Sequence, residues 1–335
     1  MFLAKRFFTV TLAAATALAL LPGCQGGGGT ATSDAIASQQ AANDEVELYN
    51  NYIEVNNSIV GDVNDAVIGY FDHVADQEEF SPLEEEYWCY RVTDSTLSYL
   101  EDSYTMATAK AEKDDADNAL IALYEPMKTL CTTINEIDDY TTAKSYYDDD
   151  YAKGKELHAT LWAALAQYDP LSDTFLNAMD ALTEQQHAQD LQQLQDQGQL
   201  TLYAMSVAID DAQAVQTAIY EQDVYDDNIL ALDVAALQPL YDAFVTSVEN
   251  CTSALSDGDQ LDKEGLSGVA YVDLFSGSLV EAKVALTDLM QRVKDQKPFD
   301  DFDLNGSFAP DASIQNFNEK LSTLIDQYNG IISAG

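Results

Sequence analysis

The chain has 335 residues, of which 58 are acidic and only 15 are Lys or Arg, giving a formal net charge of −43. A surface this negative repels nucleic acid and anionic lipid headgroups, so nucleic-acid binding is excluded as a function class. Hydrophobic residues make up 47% of the sequence, enough to bury a core in one elongated domain or two small ones. Because the acids are spread along the chain, we interpret them as a means of staying soluble in salt; the alternative is an acidic face that collects cations or a basic partner.

The N-terminal segment has the pattern of a secretory signal peptide. Lys5 and Arg6 precede an apolar run over residues 7–21, and the run closes on Leu21-Pro22-Gly23-Cys24. A cationic start, a short apolar middle and a small residue before the cleavage point are typical of such peptides, and a Cys directly after it is typical of a bacterial lipoprotein. The alternative is a transmembrane helix, but the run has about fifteen residues where a span needs about twenty. We therefore predict a signal peptide over residues 1–23 and lipidation, including palmitate, at Cys24.

The residues after the predicted lipidation site indicate a location and a tether. Gln25 is not Asp, so no signal for inner-membrane retention is visible, and the expected location is the periplasmic face of the outer membrane, held by acyl chains. Residues 24–43 are rich in Gly, Ala, Ser, Thr and Gln, a composition typical of a flexible tether. Residues 44–335 are predicted to form an all-helical domain.

Apolar residues at three- and four-residue steps predict helices along that domain. The first is expected to begin at Asp44 and to carry an apolar stripe as far as Val74. Ser81-Pro82 predicts the start of a second helix, because Ser is a good cap and Pro suits the first turn. A further stripe over residues 120–137 contains Pro126, which predicts a kinked or split helix.

The middle of the sequence predicts two further helical segments. Asp148-Asp149-Asp150 is expected to begin a helix, because acids suit the positive end of the helix dipole. Asp169-Pro170 is expected to end it. Residues 171–222 then contain almost no helix breaker except Gly198, which predicts a long helical segment interrupted at that glycine.

Three helices are predicted in the last third of the chain. Asp233 is expected to cap the first, the second covers about residues 269–296, and the third carries a stripe over residues 314–331. Strand signals are nearly absent, because no long alternating run is flanked by a tight-turn pair. The predicted fold is therefore all-α, an elongated multi-helix bundle behind a lipidated flexible N-terminal tether, or two bundles that share a long central helix.

Three cysteines follow the predicted lipidation site, namely Cys89, Cys131 and Cys251. Cys131 and Cys251 fall in register with apolar residues at helical spacing, so we interpret both as small core residues. An envelope location permits disulfides, but an odd number of cysteines leaves at least one thiol over. Cys89–Cys131 is the pairing that we expect first.

Three segments of the chain resemble a known family. Residues 48–57, LYNNYIEVNN, resemble the start of the YiiG-like family of bacterial lipoproteins of unknown function. Residues 147–158, YDDDYAKGKELH, are similar to its most distinctive internal block, and residues 324–332, LIDQYNGII, resemble its closing helix. The resemblance implies a helical, lipid-anchored envelope protein. It implies no established activity and no catalytic residues.

One local motif suggests a metal ligand set, the hexamer over residues 301–306. Asp301, Asp303 and Asn305 supply oxygens at alternate positions and Gly306 suits a sharp turn, as in the first half of an EF-hand-like calcium loop. The second half departs from the pattern, because Ala312 stands where a bidentate acid is required. The alternatives are a weak calcium site and a polar turn in an Asp-rich chain.

The three histidines give no firm catalytic or metal pattern. His73 and His187 each precede an Asp by one helical turn, but this reverses the Glu-x-x-His order of di-metal sites in helical bundles. His158 lies in the block over residues 147–158, where we expect a surface or capping role. No G-x-S-x-G or H-E-x-x-H motif occurs, so the corresponding hydrolase and metalloprotease classes are unsupported.

These patterns predict a non-catalytic, lipid-anchored periplasmic protein that acts as an interaction or ligand-binding module of the cell envelope, with an envelope protein as partner. Apolar residues at almost every inward helical position favour this function, which requires a groove or an apolar patch. The alternative is a metal-dependent binder or enzyme that holds calcium or zinc through acidic residues in or beside the bundle. That function requires several acids and a His to point inward together.

Overall fold

The computed structural model describes residues 33–304, 306 and 308–334. Helices form most of this part of the chain, and its only β pairing is an isolated antiparallel bridge between Val74 and Pro82. The all-α prediction is confirmed. The helices are α1 Ser33–Ser58, α2 Asn64–Phe71, α3 Asp94–Ala109, α4 Asp115–Thr142, α5 Tyr146–Asp149, α6 Ala152–Asp196, α7 Leu200–Tyr220, α8 Val234–Leu255, α9 Gly258–Lys263, α10 Ala270–Lys294, α11 Asp301–Leu304 and α12 Ile314–Ala334. A π-helix, Ile59–Val63, joins α1 to α2, and a 3-10 helix, Asp226–Ala231, precedes α8.

The described residues form two compact units that divide after Gln186. The first unit contains α1 to α5 and α6 up to that residue, and the second contains the rest of α6 and α7 to α12. Each unit buries an apolar cluster of its own. Each unit is a bundle of helices, and the boundary between the two falls within α6.

Apolar stripes on several helices pack together to form the core of the first unit. Tyr52 on α1 and Phe175 on α6 are buried and pack edge to face, with ring centroids 5.8 Å apart. The stripe of α4 joins the same cluster through the fully buried Leu120, Leu123, Met127, Leu130 and Ile134. Each such side chain contributes about 1.5–3 kcal/mol by leaving water, so burial of the stripes holds this unit together.

The second unit is built around α10, which packs against α12 and α8, while α7 packs against α8. Phe244 on α8, Phe275 on α10 and Phe317 on α12 are fully buried in one cluster. Large aromatic side chains dominate the energetics of such cores because each buries a large apolar area. The three rings therefore join three separate helices in one core.

Acidic side chains cap several helices. Asp114 and Asp117 form a capping box at α4, where each carboxylate accepts a hydrogen bond from the other's N–H, at 2.8 and 2.9 Å. Asp233 accepts from two N–H groups in the first turn of α8, and Asp226 accepts from the first two N–H groups of α12. These carboxylates satisfy N–H groups that lack a partner within the helix, and they interact favourably with the helix dipole. Part of the acidic composition is therefore structural.

The first helix begins at Ser33 rather than at Asp44, where we predicted it. Ser33 and Asp34 are residue types that start helices, and the Ala- and Gln-containing sequence after them has good helix propensity. The helix thus includes residues assigned to the predicted tether, because small polar composition alone does not separate a linker from an Ala-rich helix.

Residues 1–32 lie outside the described part of the chain. The predicted signal peptide 1–23, the lipidation at Cys24 and the start of the tether all fall there, and they stay predictions. Among the helices that the structure describes, none combines the length and the apolar character needed to span a bilayer.

The prediction of a helix that begins at Ser81-Pro82 is wrong, because residues 72–93 form a loop that ends at α3. The Ser81 carbonyl accepts a hydrogen bond from the Ala75 N–H at 2.9 Å, and the Leu83 N–H donates to the His73 carbonyl at 2.8 Å. These bonds tie the predicted cap to the residues before it. Long-range backbone pairing therefore overrides a local start signal.

Two prolines that were predicted to interrupt helices lie inside continuous ones. Pro126 lies within α4, which is not split, and Pro170 lies within α6, so the helix does not end at Asp169-Pro170. A proline inside a helix costs about 3 kcal/mol. Tyr168 and Phe175, on either side of Pro170, are both buried, and burial of two such side chains offsets that cost.

The break predicted at Gly198 is confirmed, because this glycine has a φ of +72° and separates α6 from α7. The cap predicted at Asp233 and the two final helices are confirmed as well, as α8, α10 and α12. The start predicted at Asp148-Asp149-Asp150 is wrong, because the run closes the short helix α5. Asp150 and Tyr151 then adopt left-handed φ values of 51° and 61°, and α6 begins after them.

Cys89, Cys131 and Cys251 are buried free thiols. The expected Cys89–Cys131 disulfide is therefore wrong, and the Cys89 thiol donates instead to the Ile134 carbonyl at 3.6 Å. Burial raises the pKa of each of the three thiols to about 12. Since the thiolate is the reactive form, we interpret all three as inert core residues.

Replacing Asp117 by Ala is expected to destabilise the first unit. The Asp117 side chain is fully buried and accepts hydrogen bonds from the Tyr52 hydroxyl and the Lys110 ammonium, both at 2.6 Å. Removing it deprives the buried Tyr52 hydroxyl and the Asp114 N–H of their acceptor and leaves Lys110 with Asp114 alone. This loss costs about 3 kcal/mol. Urea unfolding followed by circular dichroism measures the loss. Asp115→Ala, at an exposed position in the same turn, is the control with an expected change below about 0.5 kcal/mol, and equal losses would contradict the role of Asp117.

Candidate functional site: an aromatic loop anchored by His158

The loop over residues 72–93, which we call the aromatic loop, connects α2 to α3 in the first unit. Its last third alternates between buried and exposed side chains. Tyr87 and Cys89 are buried, whereas Trp88 and Tyr90 remain 45% and 55% exposed. Alternation with a period of two is typical of an extended chain that lies with one face against a core.

Hydrogen bonds hold this extended part at both ends. On one side, the Val92 N–H donates to Asn135 Oδ1 at 2.9 Å, and Asn135 Nδ2 donates to the Val92 carbonyl at 3.1 Å. On the other side, the Tyr151 hydroxyl donates to the Glu85 carbonyl at 2.9 Å. The exposed rings therefore stand on a segment fixed to α4 and to the start of α6.

His158 on α6 anchors the first half of the loop. Its ring is 1% exposed, with Nδ1 2.8 Å from the Tyr70 hydroxyl and Nε2 2.9 Å from the Gln77 carbonyl. A carbonyl only accepts, so Nε2 carries the proton and the Tyr70 hydroxyl donates to Nδ1. Burial lowers the pKa of His158 below its ordinary value and outweighs the hydrogen bond to Gln77, which acts in the opposite direction. The surface or capping role expected for His158 is wrong.

Four aromatic rings surround the imidazole. Phe80 from the loop lies 5.6 Å away between ring centroids, Tyr70 and Phe71 from α2 lie 5.9 and 6.4 Å away, and Trp162 from α6 is stacked at 6.1 Å. Aromatic pairs at these separations add about 0.5–1.5 kcal/mol each beyond burial of area. The ring of His158 therefore joins α2, the aromatic loop and α6 in one buried aromatic cluster, which favours the neutral imidazole.

The block over residues 147–158 builds one wall of this cluster. Asp149 accepts from the Lys153 N–H at 3.0 Å, as a cap of α6, and from the Tyr140 hydroxyl at 2.6 Å. Gly154 then allows a close approach, since a Cβ there would lie 2.6 Å from the Tyr87 hydroxyl oxygen. The block that resembles the YiiG-like family thus has a structural role in seating the loop.

The exposed side of the loop carries a row of three rings, His73, Trp88 and Tyr90, which we call the aromatic row. The ring centroids of His73 and Trp88 are 4.9 Å apart, as are those of Trp88 and Tyr90, the latter pair at 87°. Tyr90 also covers Gly69 on α2, where a Cβ would lie 2.9 Å from its ring. Rings in mutual contact have few rotamers left to lose, so the row offers a stiff apolar and π-rich surface.

Acidic residues flank the aromatic row along the chain. Glu84, Glu85 and Glu86 precede it and are all exposed, and Glu86 pairs with Lys144 at 2.8 Å. Arg91 follows it and pairs with Asp138 and Asp139, at 3.4 and 2.8 Å. A surface that combines exposed rings with carboxylates attracts cations and cationic side chains.

The structure describes only part of the predicted calcium loop. Asp301 and Asp303 lie in the single turn α11, at whose start the Asp300 carboxylate accepts from the N–H groups of Phe302 and Asp303, both at 2.9 Å. Asn305 lies outside the described residues. Within the described ranges, no three His, Cys, Asp or Glu side chains are grouped as they would be around a metal ion. The site at Asp301, Asp303 and Asn305 stays a prediction.

The other two histidines belong to different units and have different partners. His187 Nε2 lies 2.8 Å from Asp210 Oδ2 on α7, and this hydrogen bond is the main reason that the pKa of His187 is raised. His73 lies against Trp88 in the first unit.

A shallow groove of about 540 Å³ lies between α4 and α6 in the first unit. Small side chains form most of its lining, and two glutamates stand among them: Glu125, Pro126, Thr129, Glu156, Ala159, Thr160, Ala163, Ala164 and Gln167. Its lining carries two threonine hydroxyls and two carboxylates but no histidine or cysteine.

Sequence reasoning missed the aromatic row. Ser81-Pro82 predicts a helix over this segment, and on a helix Trp88 and Tyr90 would not share a face. Tyr87, Trp88, Cys89 and Tyr90 form an unbroken apolar and aromatic run, so the sequence carries no alternation that would reveal which rings stay exposed.

The chain matches known proteins over most of its length. Residues 43–330 match the model of a family described as protein of unknown function, DUF3829. The chain is also similar to the uncharacterized protein YiiG of Escherichia coli strain K12, with 23% identity over 305 residues that cover 88% of this chain and 81% of that protein. No solved structure matches the chain.

Gly154→Ala is expected to destabilise the first unit even though Ala favours helices. The added Cβ would meet the Tyr87 hydroxyl at 2.6 Å and the Tyr140 ring at 3.2 Å, and overpacking of this kind costs about 1–3 kcal/mol. Gly277→Ala in α10 is the matched control, because nothing lies within 4 Å of its Cβ position. That variant should gain about 0.5–1 kcal/mol from helix propensity. Thermal and urea unfolding measure both, and a stabilised Gly154→Ala protein would contradict the close approach.

His158 and His187 are expected to affect stability with opposite pH dependence. The folded pKa of His158 is lowered, so its contribution is complete above about pH 6.5 and is lost as pH falls towards the folded pKa. The folded pKa of His187 is raised, so its contribution is complete below about pH 6.5 and is lost as pH rises through the folded pKa. Urea unfolding of the parent, His158→Gln and His187→Gln proteins across this range measures both.

Towards acidic pH, the stability advantage of the parent over His158→Gln should shrink, and its advantage over His187→Gln should grow. Parallel profiles for the two variants would show that one of the two environments is assigned wrongly.

Proposed function

The chain belongs to the DUF3829 family of proteins of unknown function, and we propose that it is a non-catalytic interaction module held in the bacterial cell envelope by a lipid on Cys24. Membership confirms the predicted resemblance to the YiiG-like family. Because that resemblance carries no activity, the proposal rests on the residues of this chain. The single observation that carries it is the aromatic row, a stiff exposed surface on a loop that the core holds in place.

Trp and Tyr are the residue types that contribute most to binding at protein interfaces, since they bury large areas at a small entropic cost. Trp88 and Tyr90 are both about half exposed, and their backbone is fixed by Asn135 and Tyr151. A partner that covers them therefore does not have to order the loop. This pre-organisation favours binding as the purpose of the surface.

A non-catalytic role is supported by how the buried titratable groups are used. Both ring nitrogens of His158 have structural partners, and the Asp117 carboxylate accepts from Tyr52, Lys110 and the Asp114 N–H. Catalysis requires perturbed groups that converge on a reacting atom. His158 and Asp117 instead hold helices and a loop together.

The anchor is supported by the sequence of the N-terminal segment. Lys5, Arg6 and the apolar run before Cys24 are typical of a lipoprotein signal, and Gln25 indicates the periplasmic face of the outer membrane. A net charge of −43 would keep the rest of the chain away from anionic headgroups. The lipid would then localise the protein while the aromatic row engages an envelope partner.

Site-specific photo-crosslinking in growing bacteria tests this function. Trp88 is replaced by the photoreactive p-benzoylphenylalanine in the full chain, and Leu200, which is 49% exposed in the second unit, is replaced in the same way as a matched control. Position 88 should give a discrete crosslinked species that position 200 does not give. In the Cys24→Ser background, labelled palmitate should be absent and the chain should leave the membrane fraction.

Equal crosslinking at the two positions would contradict the binding surface. Unchanged membrane fractionation or lipid labelling of the Cys24→Ser protein would contradict the anchor. The two arms are independent, so failure of one does not hide the result of the other.

A further inference from the structure

The extended part of the aromatic loop leaves its backbone unpaired. Within the described part of the chain, no hydrogen bond joins the N–H or C=O groups of residues 87–91 to another group of the protein. The adjoining Val92 differs, because both its N–H and its C=O bond to Asn135. More than nine in ten buried backbone groups in proteins have a partner. Within this run Tyr87 and Cys89 are buried, whereas Trp88, Tyr90 and Arg91 are exposed, so another chain can reach the segment at these three residues.

We propose that residues 87–91 form the free edge of a strand and receive an extended peptide of a partner protein, which pairs with it through backbone hydrogen bonds. This inference rests on the proposed function and specifies how the aromatic row binds. Addition of a strand to an exposed edge is a recurrent mode of peptide recognition, in which the backbone supplies affinity and alternate side chains supply specificity.

Alternation along the segment determines what the incoming strand presents. Tyr87 and Cys89 point into the core, whereas Trp88 and Tyr90 are exposed. Side chains that share a face across paired strands lie about 4.5–5.5 Å apart, so every second residue of the peptide would lie against the two exposed rings. Those residues are expected to be apolar or aromatic.

The charges beside the edge determine which residue types are expected at the remaining positions of the peptide. Glu84 and Glu85 are exposed immediately before the edge, and Glu86 beside them is paired with Lys144 at 2.8 Å. Asp138 and Asp139 lie beside the other end, where they pair with Arg91. Cationic side chains on the incoming strand would be attracted to these carboxylates and to the faces of the rings. The favoured occupant is therefore an extended basic segment with apolar residues at alternate positions.

A second copy of this chain is a poorer occupant. Two copies would each bring a formal net charge of −43 to the interface, and like charges oppose association. Charged residues beside an edge are a common protection against self-pairing. The net charge of the chain thus disfavours a second copy and favours a basic partner.

Hydrogen–deuterium exchange on the full chain without its signal peptide tests the pairing. The probe is a blocked ten-residue peptide of alternating Lys and Val, and the matched control is the same peptide with Glu in place of Lys. The Lys-Val peptide should slow exchange over residues 87–91 about tenfold or more, with no change over α4, and the Glu-Val peptide should not. Trp88→Ala and Tyr90→Ala should each weaken binding about tenfold, whereas Leu200→Ala should leave it unchanged.

Backbone methylation separates strand pairing from simple contact with the rings. In a strand, the N–H groups of alternate residues point to opposite edges. A Lys-Val peptide methylated on the nitrogen of every Val and one methylated on every Lys keep the same side chains but block opposite edges. One of the two should lose binding at least tenfold while the other retains it.

Equal binding of both methylated peptides, or binding without protection of residues 87–91, would overturn the strand-pairing inference while leaving crosslinking at position 88, and hence the proposed function, intact. Protection that increases with protein concentration in the absence of peptide would overturn it in favour of self-pairing. If crosslinking fails at position 88 while one methylated peptide binds and protects the segment, the strand-pairing inference is supported. The proposed function in the envelope is then contradicted.

Discussion

The burial of one neutral imidazole fixes the part of the molecule on which the proposed function depends. His158 on α6 accepts from Tyr70 on α2 and donates to the Gln77 carbonyl in the aromatic loop. A loop between two helices costs about 1–2 kcal/mol of conformational entropy for each residue that becomes ordered. The rings around His158 and the Asn135 hydrogen bonds to Val92 supply the contacts that oppose this cost. Without them, Trp88 and Tyr90 would lie on a segment that has to be ordered at each binding event.

The second constraint is charge. A formal net charge of −43 destabilises a compact state through self-repulsion, and the structure places acids where their charge is useful. Asp149, Asp226 and Asp233 accept hydrogen bonds from N–H groups in the first turns of α6, α12 and α8, where the helix dipole favours an anion. The interpretation of the acids as a solubility device is thus incomplete, since several of them also define where helices begin. For the exposed acids beside the aromatic row we propose a further use, which is to favour a cationic partner.

The sequence correctly predicted the helices that depend on a local pattern of apolar residues. It failed where contacts with residues distant in the sequence determine the structure. The stripes that became α8, α10 and α12 were visible because burial along a helix repeats every three to four residues. The end expected at Pro170 was wrong because its cost of about 3 kcal/mol is offset by burial of Tyr168 and Phe175, which a local pattern does not reveal. His158 was misplaced for the same reason, since its partners Tyr70 and Gln77 lie 88 and 81 residues away along the chain.

The strand edge that we propose in the aromatic loop also has a physical cause in an all-helical protein. A helix satisfies its own backbone groups apart from its ends, so the packing of helices leaves no ladder with which an extended segment can pair. Residues 87–91 are extended because Tyr87 and Cys89 must both reach the core, and that requirement fixes the direction of one face only. Their N–H and C=O groups lie in the plane of the strand, where no described helix offers a partner. A partner chain can supply the missing ladder without any rearrangement of the helices, and the rings of the aromatic row then decide which chain fits.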